Sequence, residues 1–141
     1  MKNITGKILT AWYQLLSNGA ISVPVYRTDA PPEEEGNYVL LRMESETDNS
    51  NNQAFVTTPV LITEVVTKFK ARIDDGLAAE IDNEIGELVL PGPSLIGLPV
   101  QAGIQVTDLR RENSTVLPED DGTFRYNRII TRNLHRVLQT V

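Results

Sequence analysis

Apolar positions recur with two different periods along the chain, and the switches between them mark out the elements. From Asn3 to Ser17, Ile4, Ile8, Ala11, Trp12, Leu15 and Leu16 return at three- and four-residue spacings, which predicts an amphipathic helix. Gly19 stands where a left-handed helix cap belongs. "SVPVYR" (22–27) reads as a short strand, and Pro24, which lacks an N–H, restricts it to a sheet edge or a strand start. In "YVLLRMESET" (38–47), Val39, Leu41 and Met43 fall on one face and Arg42, Glu44 and Glu46 on the other, the pattern of a half-buried strand. "TTPVLITEVVTKF" (57–69) is crowded with β-branched residues, and Val60 and Ile62 alternate with Leu61 and Thr63, so it reads as a strand. Polar stretches at 28–37 and 48–53 read as loops.

Two segments fit more than one period. Leu61, Val65, Phe69, Ile73, Leu77, Ile81, Ile85 and Leu88 form a ladder that one long helix would also satisfy. Valine and threonine dominate before Phe69 and alanine, glutamate and isoleucine after Asp74, which predicts a strand followed by a helix over 74–89. "PGPSLIGLP" (91–99) ends that helix. "GIQVTDLRRENSTVL" (103–117) and "GTFRYNRIITRNLHRVLQ" (122–139) flank the turn signal "PEDDG" and read as two long antiparallel strands. As a strand, the last segment puts Tyr126, Arg128, Ile130, Arg132, Leu134 and Arg136 on one face. As a helix, it separates Tyr126, Ile130, Leu134 and Val137 from Arg125, Arg128, Arg132 and Arg136. The turn before it and its threonine, asparagine and isoleucine content favour a strand through Leu134, with the residues beyond assigned to neither. The order α-β-β-β-α-β-β predicts an α+β domain, a largely antiparallel sheet with long hairpins packed against two helices.

At 141 residues, 40% apolar and 23% charged, the chain has the size and composition of one globular domain, residues 1–141. It has no cysteine, which excludes disulfides and thiolate metal sites and fits maturation in a reducing cytoplasm. Lys7 and Gln14 interrupt the apolar start, so no export signal is expected, and no apolar run is long enough to span a membrane. Charge is segregated. Asp29 to Asp48 holds seven acids and one arginine, Asp74 to Glu87 six acids and no base, and residues 123–141 four arginines and no acid, within a chain of net charge −6. Such a chain carries a complementary pair of patches for its own neighbour. Arg125, Arg128, Arg132 and Arg136 on one side, with Asp82, Glu84, Glu44 and Glu46 on the other, are the candidate subunit-interface residues, arginine being suited to bidentate pairing with carboxylates.

Candidate chemistry changes this picture little. His135 is the only histidine and reads as a surface or interface imidazole rather than a metal ligand or catalyst. "DNSNNQ" (48–53) imitates the opening of a calcium loop, but Gln53 and Pro59 stand where the glycine and the bidentate glutamate are required. "GPSLI" (92–96) lacks the second glycine of a nucleophile elbow, and no phosphate-cradling glycine motif is present. Carboxylate pairs such as Asp74/Asp75, Asp82/Glu84 and Asp120/Asp121 sit where solvated caps and turns belong. No enzyme activity, cofactor or metal is expected. A nucleic-acid arm would interleave bases with aromatics; Phe124 and Tyr126 lie near Arg125 and Arg128, but no lysine follows Lys70 and the whole chain is acidic.

The N-terminal helix, "VPVYR", "YVLLRMESE", "VLITEVVTKF" leading into "LAAEIDNEIGELV", and the terminal hairpin with "QVTDLRREN" and "YNRIITRNL" together resemble the tail terminator, or tail-completion, proteins of tailed bacteriophages. The resemblance covers nearly the whole chain and lies in arrangement rather than in a fixed motif. It implies a structural virion protein, assembled in the host cytoplasm, that forms a homo-oligomeric ring, commonly a hexamer. Such a ring caps the tail tube, contacts the head connector and lets DNA pass without specific binding. Related neck and connector rings are the alternative it implies, and a small nucleic-acid-binding module is a more distant one. The extended "LPGPSLIGLPV" (90–100) departs from the family pattern. A pore that passes DNA without gripping it suits an acidic chain, since clustered cations retain phosphates.

Overall fold

The computed structural model describes residues 3–18, 21–30, 36–51, 53–69, 75–120, 122 and 124–140. Gly19, residues 31–35, Asn52, Ile73, Asp74 and Asp121 lie outside them, and so do the cap, loop and turn roles expected of those positions. The elements follow the expected order: α1 (Thr5–Ser17), β1 (Val25–Arg27), β2 (Tyr38–Asp48), β3 (Val56–Phe69), α2 (Asp75–Val89), β4 (Ile104–Asp120) and β5 (Arg125–Gln139). The five strands form one sheet in the order β1-β2-β3-β5-β4. β1 pairs parallel with β2, and every other pairing is antiparallel. Pro24 precedes an edge strand, as its missing N–H requires.

β5 resolves the ambiguity of the C-terminal segment. It lies between β3 and β4 and is hydrogen-bonded on both sides, from Arg125 opposite Phe69 to Leu138 opposite Val56, so it continues as a strand well past Leu134. Two ladders outweigh a helical period that no partner would reward. Its odd-numbered side chains from Asn127 to Val137 are buried, facing the helices, and the even-numbered ones face the other side of the sheet. Ile8, Trp12 and Leu16 of α1, Ala78, Ile81 and Ile85 of α2, and Val39, Leu41, Leu61, Val65, Ile129 and Val137 of the sheet join in one apolar cluster.

Alternation along β2 breaks at a bulge between Met43 and Ser45. Glu44 stays on the side opposite the helices, but Glu46 pairs with Pro59 and turns to the helix side, so the two acids do not share a face as the alternation predicted. Glu46 there meets the start of α1: Ile4 N–H donates to Oε1 at 3.4 Å and the Thr5 hydroxyl to Oε2 at 2.6 Å. Ile4 at the N-cap has no side-chain acceptor to offer; the Asn3 side chain accepts from Thr5 N–H at 2.8 Å, and the carboxylate from β2 adds to it.

"GPSLIG" has a structural use. The Gly97 N–H donates to the Val89 carbonyl at 2.8 Å, folding the chain back against the end of α2. A Cβ on Gly97 would lie 1.9 Å from the Leu88 carbonyl oxygen, which no side chain tolerates. Gly97→Ala is therefore expected to destabilise the fold by roughly 2 kcal/mol, the scale of overpacking. The check is the urea midpoint; an unchanged midpoint would show that this close approach is not needed.

Candidate assembly surface

Both helices cover one face of the sheet. Charged residues organise the opposite face into two rows that cross the strands. In the first, the Arg128 guanidinium donates to Glu64 at 2.6 Å, lies 3.4 Å from Glu119, and shares Glu64 with Arg42 at 3.9 Å. In the second, Arg132 donates to Glu44 at 2.9 Å and reaches Glu112 at 3.6 Å. Ile130 stands between the two arginines on β5, and Ile62 of β3 lies opposite Arg132. These rows bind β2, β3, β5 and β4 laterally, as cross-strand pairs do.

The rows differ in depth. Glu64 is 8% exposed. Burial works against the charge of Arg128, but the hydrogen bond and charge of Glu64, with Glu119 and Tyr38 behind them, hold its pKa above the ordinary arginine value. Arg132 is raised by its hydrogen bond to Glu44 and lies at the surface, where such pairs contribute little stability.

Each candidate interface residue has a partner within its own chain. Arg125 pairs with Asp120 at 3.6 Å, and Arg136 donates to the Thr107 hydroxyl at 3.2 Å. Asp82 accepts from Arg111 at 2.6 Å and from the Thr131 hydroxyl at 3.4 Å, which ties α2 to β4 and β5. Desolvation lowers the Arg111 pKa, with Asp82 acting in the opposite sense. Glu84 accepts from Ser22 N–H at 3.3 Å and its hydroxyl at 3.5 Å, holding the approach to β1. Of these candidates Arg132 and Glu44 thus meet each other on the uncovered face, whereas Asp82, Glu84 and Glu46 serve contacts on the helix side. Sequence separation hid these partners: Arg132 and Glu44 are 88 residues apart.

His135 is neither a surface nor an interface imidazole. It is 3% exposed beneath α1. Its Nδ1–H donates to the Pro59 carbonyl at 2.9 Å, and its Nε2 accepts from Trp12 Nε1–H at 2.8 Å. Burial pushes its pKa down to about 4, against the opposing hydrogen bonds to the Pro59 and Asn133 backbones. The signal available in the sequence was its odd-numbered place on β5, which falls on the helix side only once the strand reading is adopted.

Among the described residues no group of three or more His, Cys, Asp or Glu is placed to hold a metal ion, and no helix is long and apolar enough to cross a membrane. An apolar groove of about 190 Å³ runs between α1 and the start of β4, lined by Ile8, Ala11, Ile96, Leu98, Ile104 and Val106, with Val100 exposed at its rim.

No protein-family model matches the chain, and no curated protein matches it. Among solved structures, the fold is similar to that of a chain from the virion of a native gene transfer agent particle, with a TM-score of 0.71 at 18% identity. The likeness covers 96% of this chain and 99% of the other.

Proposed function

We propose that this chain, acting over residues 1–141 as one unit, is a structural virion protein. It forms a ring at the head-proximal end of a phage-type tail, closes the tail tube there and joins it to the head connector, with DNA passing through the centre. The observation that carries this reading is the fold likeness to a virion particle chain over nearly the full length of both partners. The sequence resemblance to tail terminators supplies the position and favours a hexamer. A net charge of −6 suits a pore that must release phosphates, and no specific grip on DNA is proposed.

The disposition of side chains supports work by contact rather than by catalysis. Asp82, the acid beside the shallow cleft between α2 and β4, is bonded to Arg111 instead of being held free for proton transfer. The exposed charges of the uncovered face, Arg42, Glu44 and Arg132 among them, remain available for a neighbour once subunits meet. Mass photometry and negative-stain imaging of the purified protein, alone and with tail tubes or head connectors, test the reading. Annular particles of several copies that bind tubes are expected. Preferential binding to connectors would move the ring along the neck, and a strict monomer with no affinity for either would overturn the proposal.

A further inference from the structure

The sheet has two edges that its own strands leave uncovered. β1 pairs with β2 only from Val39 to Leu41, and Thr28 N–H adds one bond to the Leu41 carbonyl. From Arg42 to Asp48, β2 has no backbone partner on its outer side among the described residues. On the opposite side β4 is outermost along its length. Three antiparallel pairings separate β2 from β4, so the two strands run in opposite directions. A second copy rotated about an axis along the strands therefore brings its β2 beside β4 in antiparallel sense, the better-bonded arrangement.

The two edges differ in charge. Arg42 to Asp48 holds three acids and one arginine, and Asp48 is exposed with no ion pair among the described residues. On the β4 side Arg111 and Glu112 are taken up by Asp82 and Arg132, which leaves exposed Arg110 and Arg136 against Asp108. The apolar groove and exposed Val100 flank the start of that edge and offer cover for a neighbour's aliphatic side chains.

We propose that the β4 edge from Gln105 to Glu112 accepts the β2 edge from Arg42 to Asp48 of a second copy, extending the sheet head to tail around the ring. The inference rests on the ring reading and names its subunit contact. Bulges at Met43/Ser45, Val106/Asp108 and Glu112/Thr115 keep the shared ladder short. Closure of the ring then removes both exposed edges, where an open chain of copies would leave one at each end.

The absence of cysteine makes the test direct. A chain carrying Thr47→Cys with Gln105→Cys, treated with a short bis-maleimide, is expected to give a ladder of covalent multimers, and neither single variant is, because unlike edges meet. In a second arm, Arg110→Glu is expected to raise the concentration for half-assembly by about tenfold, because in this register it sets an acid against the neighbour's Glu44. Wild-type rings without a ladder from the double-cysteine chain, or unaffected by Arg110→Glu, overturn this contact and leave the ring reading standing. A wild-type chain that stays monomeric with tubes and connectors overturns both.

Discussion

Arg128→Ala is expected to lower folding stability by about 3 kcal/mol, because it leaves a buried carboxylate without its partner. Glu64 is 8% exposed and receives the Arg128 guanidinium at 2.6 Å, whereas Arg42 reaches it only at 3.9 Å from a more exposed position. Glu64→Gln in the Arg128→Ala background is expected to recover more than half of the loss, since a neutral amide costs less to bury than a charge. Urea midpoints of the wild type and the single and double variants measure this. Equal midpoints for wild type and Arg128→Ala would mean that the pair holds nothing. It follows that Arg128 is a poor probe of assembly and that Arg110 is the better one.

Acidification from pH 6.5 to pH 4 is expected to cost a further 3 kcal/mol or so through His135 alone. Its pKa is about 4 in the folded protein and near 6.5 when the chain is unfolded. The unfolded chain therefore takes up the proton first on going down in pH. Stability from this group is complete above pH 6.5 and is lost progressively as pH falls towards the folded value. Protonation also sets an N–H against the Trp12 N–H, where a lone pair now accepts. His135→Leu removes this part of the slope, whatever its own cost. Parallel stability-against-pH curves for wild type and His135→Leu through that interval would refute the assignment. Trp12→Phe should cost about 1–3 kcal/mol by leaving Nε2 buried and unbonded.

The element order was legible because each segment, taken with its turn residues, has a local signature: β-branched crowding in β3, alanine and glutamate in α2, "PEDDG" before β5. Strand order was not. Nothing local in "RYNRIITRNLHRV" says that it inserts between β3 and β4, and only that insertion makes the odd positions core and places His135 under α1. The bulge at Glu44 was equally hidden, since one extra residue reverses the face of all that follows, and it sent Glu46 to α1. For the candidate site, the sequence showed opposite charges in separate segments; the structure shows their long-range intrachain pairing. Glu64 was missed because the alternation that marks this β-branched run ends at Thr63, and its one clue is that no other acid lies between Val56 and Phe69.

The bond between Trp12 and His135 spans 123 positions of sequence. Helix α1 is therefore completed by a strand made long after it, and β3 and β4 likewise lack their common neighbour until β5 arrives. Contacts of such separation make folding slow. The timing of translation thus acts as a gate: until β5 is made the sheet is unfinished, and only afterwards do β2 and β4 stand as its outer strands at the spacing that the proposed contact uses.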